Sequence, residues 1–151
     1  MILSICGDIC SECPRYLATL ANNEEELTRL AKQWFQLGFH DREVTPEEIK
    51  CTGCSKQKPC SYNLNSCIHL EGISNCGECN LFACEKLETV FEKSSQGDEK
   101  CKAILPAEEY ARFKRVFFMK KELLTNRKKE KENRKKIKHD FPNDLFQMTI
   151  S

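Results

Sequence analysis

Eleven cysteines, at positions 6, 10, 13, 51, 54, 60, 67, 76, 79, 84 and 101 of a 151-residue chain, are the side chains best able to do chemistry here. Such a density is usual only for disulfide scaffolds and metal proteins. Residues 1–8 carry no lysine or arginine and no apolar run of signal-sequence length, and no stretch of about 18 apolar residues occurs. The expectation is therefore a cytoplasmic location, no membrane partner and reduced thiols, and an odd count of cysteines cannot pair completely in any case. Metal ligation is the chemistry that remains.

The most specific spacing is Cys51-Thr52-Gly53-Cys54 with Cys76-Gly77-Glu78-Cys79, two CxxC knuckles separated by 21 residues. This resembles a four-thiolate zinc ribbon, in which each knuckle supplies two sulfurs about 2.3 Å from a tetrahedral ion. The expected first site is Cys51, Cys54, Cys76 and Cys79; the alternative shares the same cysteines out with Cys60, Cys67 and Cys84. The N-terminal set Cys6, Cys10 and Cys13 needs a fourth ligand. Cys84, expected in the first turn of a helix whose dipole stabilises a thiolate, completes the second site, with Cys60 and Cys67 as further candidate ligands.

Two Zn2+ ions are expected, because paired knuckles dominate and no ferredoxin run is present; an iron-sulfur cluster is the alternative, since it uses the same ligands. The C-x3-C-x2-C spacing is also that of radical S-adenosylmethionine enzymes, but 151 residues cannot supply the partial barrel they need. A thioredoxin-like redox pair lacks its βαβ context. His69, two residues after Cys67, reads as solvent-facing rather than as a ligand, as do His40 and His139.

Taken in order, Cys6-Gly7-x-x-Cys10-x-x-Cys13-Pro14, Ile49-x-Cys51-x-Gly53-Cys54 and Asn75-Cys76-x-Glu78-Cys79-x-x-Phe82-x-Cys84 resemble a widespread prokaryotic family of small cysteine-rich proteins. That family is a domain of unknown function commonly described as zinc-binding. The resemblance covers about residues 3–91 and implies metal binding without supplying a reaction. Between the knuckles the chain departs from the pattern: Cys67 matches the second of two family cysteines, while Tyr62 stands where the first is expected and Cys60 lies two residues before it.

The elements that must position these thiols are helices and irregular loops. Residues 6–14 read as a tight loop ending at Pro14. Leu27, Leu30, Ala31, Trp34 and Phe35 recur at helical spacing over residues 24–37, with Asn22 or Asn23 as cap. Thr45-Pro46-Glu47-Glu48 is a capping box opening a short helix before Cys51. Residues 51–84 hold too little apolar surface to order themselves, so metal is expected to do so. A helix over residues 81–93, capped by Asn80, precedes a loop at 94–98. A last amphipathic helix then begins at Pro106 and carries Tyr110, Phe113, Phe117 and Leu124 on one side.

The fold class is thus a small α-rich, metal-stabilised cysteine-rich domain with irregular zinc-knuckle loops and a C-terminal helical extension. Its expected divisions are residues 1–101, the metal-binding domain; 102–125, the amphipathic helix packing on it; and 126–151, a basic, flexible tail whose removal should leave the body unchanged. Residues 120–138 hold ten basic and three acidic residues, a net of +7, against −6 for the remainder. An acidic cysteine-rich body is joined to a basic extension.

No Ser-His-Asp set, phosphate loop or paired catalytic carboxylates can be assembled, so the expected function is a zinc-binding module, binding or regulatory, more readily a non-enzyme than an enzyme. The alternatives are an iron-sulfur protein in electron transfer or redox sensing, and a nucleic-acid-binding accessory protein acting through Arg127, Lys128, Lys129, Lys131, Arg134, Lys135, Lys136 and Lys138. A solvated charged helix is the favoured reading of that basic run, because aromatic residues for base stacking are lacking. A protein partner is the remaining expectation for such a module.

Overall fold

The computed structural model describes residues 1–54 and 60–140; the apolar run of Phe141, Leu145, Phe146, Met148 and Ile150 lies outside the described residues. Six α-helices are described: α1 (Pro14–Leu20), α2 (Glu24–Gln36), α3 (Pro46–Ile49), α4 (Glu85–Ile104), α5 (Ala107–Phe117) and α6 (Lys120–Asp140). Short 3-10 turns occupy Cys10–Glu12, Ile68–Leu70 and Cys76–Glu78. Among the described residues the only extended pairing is an isolated antiparallel bridge between Leu3 and Ile9. None of the described helices is long and apolar enough to cross a membrane.

Local chemistry explains the helices that the sequence predicts. The Asn23 side chain accepts from the Glu26 amide at 3.0 Å and opens α2. Both halves of the capping box form at α3, Glu48 N to Thr45 Oγ1 at 3.2 Å and Thr45 N to Glu48 Oε2 at 2.7 Å. Pro14, expected to end a loop, instead sits at the first position of α1, where its missing amide costs nothing. This seven-residue helix gives little periodic signal, because Leu17 and Leu20 are exposed and only Ala18 and Pro14 are buried.

Two further differences have tertiary causes. Residues 94–98, expected as a loop, continue α4. Ser94 is buried and its hydroxyl donates to the Phe117 carbonyl at 3.1 Å, Tyr110 Oη donates to Asp98 Oδ1 at 2.6 Å, and a Cβ at Gly97 would lie 3.1 Å from the Phe118 ring. Weak helix formers are therefore held helical by the chain packed against them. The single amphipathic helix expected after Pro106 is instead two, α5 and α6. It stops at Phe118 because the Ile9 amide takes the Val116 carbonyl at 3.0 Å while Ser94 takes that of Phe117, groups that would otherwise bond the next turn.

Burial falls into two clusters. The first joins Ala18 of α1, Leu27, Leu30, Ala31 and Trp34 of α2, Leu37, Ile49, Cys101 of α4 and Phe113 of α5. The second joins Cys6, Leu64, Leu87, Val90, Phe91 and Leu124, with Cys60, Tyr62 and Cys76 packed against it. Because α4 contributes to both, it is the spine linking them. Cys101 is 0% exposed, and burial pushes its thiol up to about 11. Cys101→Ser should therefore lower stability by about 1–3 kcal/mol through an unpaired buried hydroxyl. Denaturant unfolding beside metal analysis checks this, and the metal content should not change.

The Trp34 ring lies under Arg15, 5.6 Å to the centroid, and stacks with His40 at 5.9 Å. Burial, then the nearby Arg15 charge, holds the His40 imidazole below its ordinary value. As pH falls below about 6.5 the unfolded chain takes up the proton first, so stability present above that pH is lost on acidification through the folded value. His40→Phe should flatten the slope of unfolding free energy between about pH 7 and 5. Parallel denaturant titrations of the two proteins test it; an unaltered slope would show that His40 titrates alike in both states.

Candidate metal centre

All eleven cysteines lie among the described residues, and no disulfide joins any two of them. Their arrangement follows from how the loops are latched. The Arg15 guanidinium, on α1, donates from Nε to the Ile49 carbonyl and from Nη2 to the Lys50 carbonyl at 3.2 Å. From the next turn of the same helix, Thr19 Oγ1 accepts from the Cys51 amide at 2.9 Å. Because α1 begins directly after Cys13, these bonds draw the Cys51–Cys54 knuckle onto the Cys10–Cys13 turn.

The thiols themselves record that approach. Hydrogen bonding from the Cys54 side chain, the largest cause, holds the Cys10 thiol below its ordinary value despite burial, and the Cys54 amide adds to it. Burial pushes the Cys13 thiol up, opposed by the Tyr16 and Arg15 amides in the first turn of α1, and Cys51 lies close enough to Cys13 to add repulsion. Gly53 lies between the knuckle cysteines at φ +96°, a conformation that a Cβ would strain. Cys10, Cys13, Cys51 and Cys54 thus form one group of neighbours.

The second knuckle is seated elsewhere. The Cys76 amide donates to the Ile5 carbonyl at 2.9 Å, Asn75 Oδ1 accepts from the Gly77 amide at 3.0 Å, and the Leu81 amide donates to Cys79 Sγ at 3.4 Å. Burial pushes the Cys76 thiol up to about 12, and Cys6, Cys84, Cys79 and Cys67 all lie within electrostatic reach of it. Cys84 is the N-cap residue of α4, and Lys86 in the first turn reaches back to the Asn63 carbonyl at 3.4 Å, tying the helix to the loop that carries Cys60 and Cys67.

Cys6 stands between the two groups. Its thiol is raised by burial, with Cys54 and Cys60 adding to this, and is opposed by Lys120 and by a shared hydrogen bond with Ser4 at 3.3 Å. Lys120 is only 3% exposed, pairs with Asp8 and lies 5.8 Å from the centroid of the Tyr62 ring.

Of the expected ligands, the structure sets Cys51 and Cys54 beside Cys10 and Cys13, and Cys67, Cys79 and Cys84 beside Cys76. Among the described residues no three Cys, His, Asp or Glu side chains draw together as tightly as a coordination shell. The donor chemistry nonetheless suits a soft divalent ion, since backbone amides face the sulfurs of Cys10, Cys13 and Cys79. His69 and His139 are exposed.

Sequence reasoning missed the part played by α6. Arg127, Lys128 and Lys131 lie over the Cys76–Glu78 turn: Lys128 Nζ donates to the Cys79 carbonyl at 3.2 Å and Lys131 Nζ to that of Glu78. A Cβ at Gly77 would lie 2.7 Å from the Leu124 carbonyl and 2.8 Å from Arg127 Cβ, so the helix rests directly on the knuckle backbone. The only signal in the sequence was the glycine. Arg134, Lys135, Lys136 and Lys138 are exposed on the same helix.

Fold and site together define a small helical cysteine-rich domain whose knuckle cysteines gather into two neighbouring groups. By sequence comparison the chain belongs to the family described as "Protein of unknown function (DUF3795)", whose model matches residues 2–89. The match takes in ten of the cysteines and ends within α4, leaving α5 and α6 outside it. Comparison with curated proteins and with solved structures gives no significant match.

Proposed function

We propose that the protein is a zinc-binding module of the cytoplasm, binding or regulatory rather than catalytic, with two thiolate sites. Cys10, Cys13, Cys51 and Cys54 would hold one ion, and Cys67, Cys76, Cys79 and Cys84 the other, with Cys6 and Cys60 between them. The observation that supports this reading is the latch of Arg15 and Thr19 onto residues 49–51, which ties the entry to the Cys51–Cys54 knuckle to the helix that follows Cys13. Zinc would supply a tetrahedral centre holding four sulfurs and so order loops that have little core of their own. Arg15, Thr19 and Asn75 would set the loop backbones, and the amides at Cys10, Cys13 and Cys79 would favour the ionised sulfurs.

The experiment is elemental analysis with an acid-labile sulfide assay on anaerobically purified protein. Two zinc ions per chain without sulfide support the reading. Iron with sulfide replaces it by a cluster protein, and a reduced chain carrying no metal overturns it.

A further inference from the structure

The positive charge of residues 120–138 is not spread evenly about its helix. Lys120, Leu124, Arg127, Lys128 and Lys131 repeat at helical intervals along one face of α6, and that face meets the thiol-rich turn. Two ammonium groups are delivered there, and a third is held beside Cys6. Lys120 is buried beside Cys6, Lys128 is on the Cys79 carbonyl, and Lys131 is on the Glu78 carbonyl. Asp8 pairs with Lys120, and Glu132 stands 3.9 Å from the half-buried Lys128, so the charge that α6 brings to the turn is only partly answered.

We infer that α6 is the electrostatic counterpart of the second thiolate group, its lysines acting as outer cations for a metal held by Cys67, Cys76, Cys79 and Cys84. This rests on the two-site zinc reading above. Four thiolates around a divalent ion would leave a net charge of −2, whose mutual repulsion favours loss of the metal. Cations fixed nearby in a partly dry setting offset that repulsion. The inference also accounts for a basic helix added to an acidic body beyond the family-matched region: it neutralises the centre it rests on.

The test uses the zinc-loaded full chain and follows release of the ion to excess chromogenic chelator. The K128Q/K131Q variant keeps a donor for each carbonyl but loses the charge, K128R/K131R keeps the charge, and R134Q/K135Q removes charge from exposed positions further along the helix. One of the two ions should leave about tenfold faster from K128Q/K131Q, with the arginine and distal variants near wild type, and added salt should speed wild type towards the glutamine variant. Equal release from wild type and K128Q/K131Q overturns the inference alone. Equally fast release from the glutamine and arginine variants also overturns it, since lysine geometry rather than charge would then matter. A wild-type chain that holds no metal overturns both the inference and the reading beneath it.

Discussion

Replacing Cys54 and Cys79 together by serine is expected to remove both metal ions, whereas replacing Cys10 and Cys54 together should remove only one. Spacing alone expects the reverse, because it places Cys54 with Cys79 in one site and Cys10 in the other. The difference arises from α1. Arg15 and Thr19 fasten the backbone at residues 49–51 to the helix that follows Cys13, so the first CxxC knuckle cannot leave that turn without breaking three hydrogen bonds. The second knuckle is fixed to the N-terminal segment by Cys76 N to Ile5 O and lies beneath α6.

Metal content per chain, measured on the two double variants and on each single variant, decides between the groupings. Each single variant should lose about one ion, since a tetrathiolate site deprived of a ligand binds far less tightly. Stability should fall with it, because the binding free energy of a structural zinc, roughly 10–16 kcal/mol in zinc-finger peptides, is largely folding free energy. The Cys101 variant is the control: it should lose stability through its place in the first cluster and keep both ions. Two ions lost from Cys10→Ser/Cys54→Ser would return the knuckles to the grouping that spacing expects.

How far each feature was legible depended on whether its cause was local. The caps of α2 and α3 could be read directly, since Asn23, Thr45 and Glu48 act within one turn. The family resemblance was equally legible, since it lies in short motifs, and the match over residues 2–89 bears it out. The helical continuation through residues 94–98 was not, because what holds it are Phe117, Phe118 and Tyr110 from another element. The break after α5 is set by Ile9, more than a hundred residues away in sequence. Cysteine spacing identified the thiols but not their neighbours. A knuckle carries no record of its partner, and the residues that decide it, Arg15 and Thr19, look like ordinary polar positions on a short helix.

Gly77→Ala should destabilise the protein by about 2 kcal/mol, which at this chain length is a fall of roughly 4–8 °C in Tm. The added methyl would meet the Leu124 carbonyl at 2.7 Å and Arg127 Cβ at 2.8 Å, and the first of these is helix backbone that cannot swing aside. Either α6 lifts or the knuckle shifts, and in both cases Lys128 and Lys131 lose the Cys79 and Glu78 carbonyls. Truncation after Thr125 removes the same contacts without adding a clash. It should cost about 1–3 kcal/mol, because hydrogen bonds from charged donors are among the stronger ones and the freed carbonyls must find water. The sequence pointed the other way, treating residues 126–151 as dispensable because nothing in them demands burial. What matters is the backbone of the knuckle, which gains donors from two half-buried lysines of α6. Thermal melts of wild type, Gly77→Ala, the truncation and an exposed control such as Asn133→Ala separate the two views. If Gly77→Ala and the truncation melt with the control, α6 does not rest on the Cys76–Glu78 turn and the basic segment is only a solvated extension.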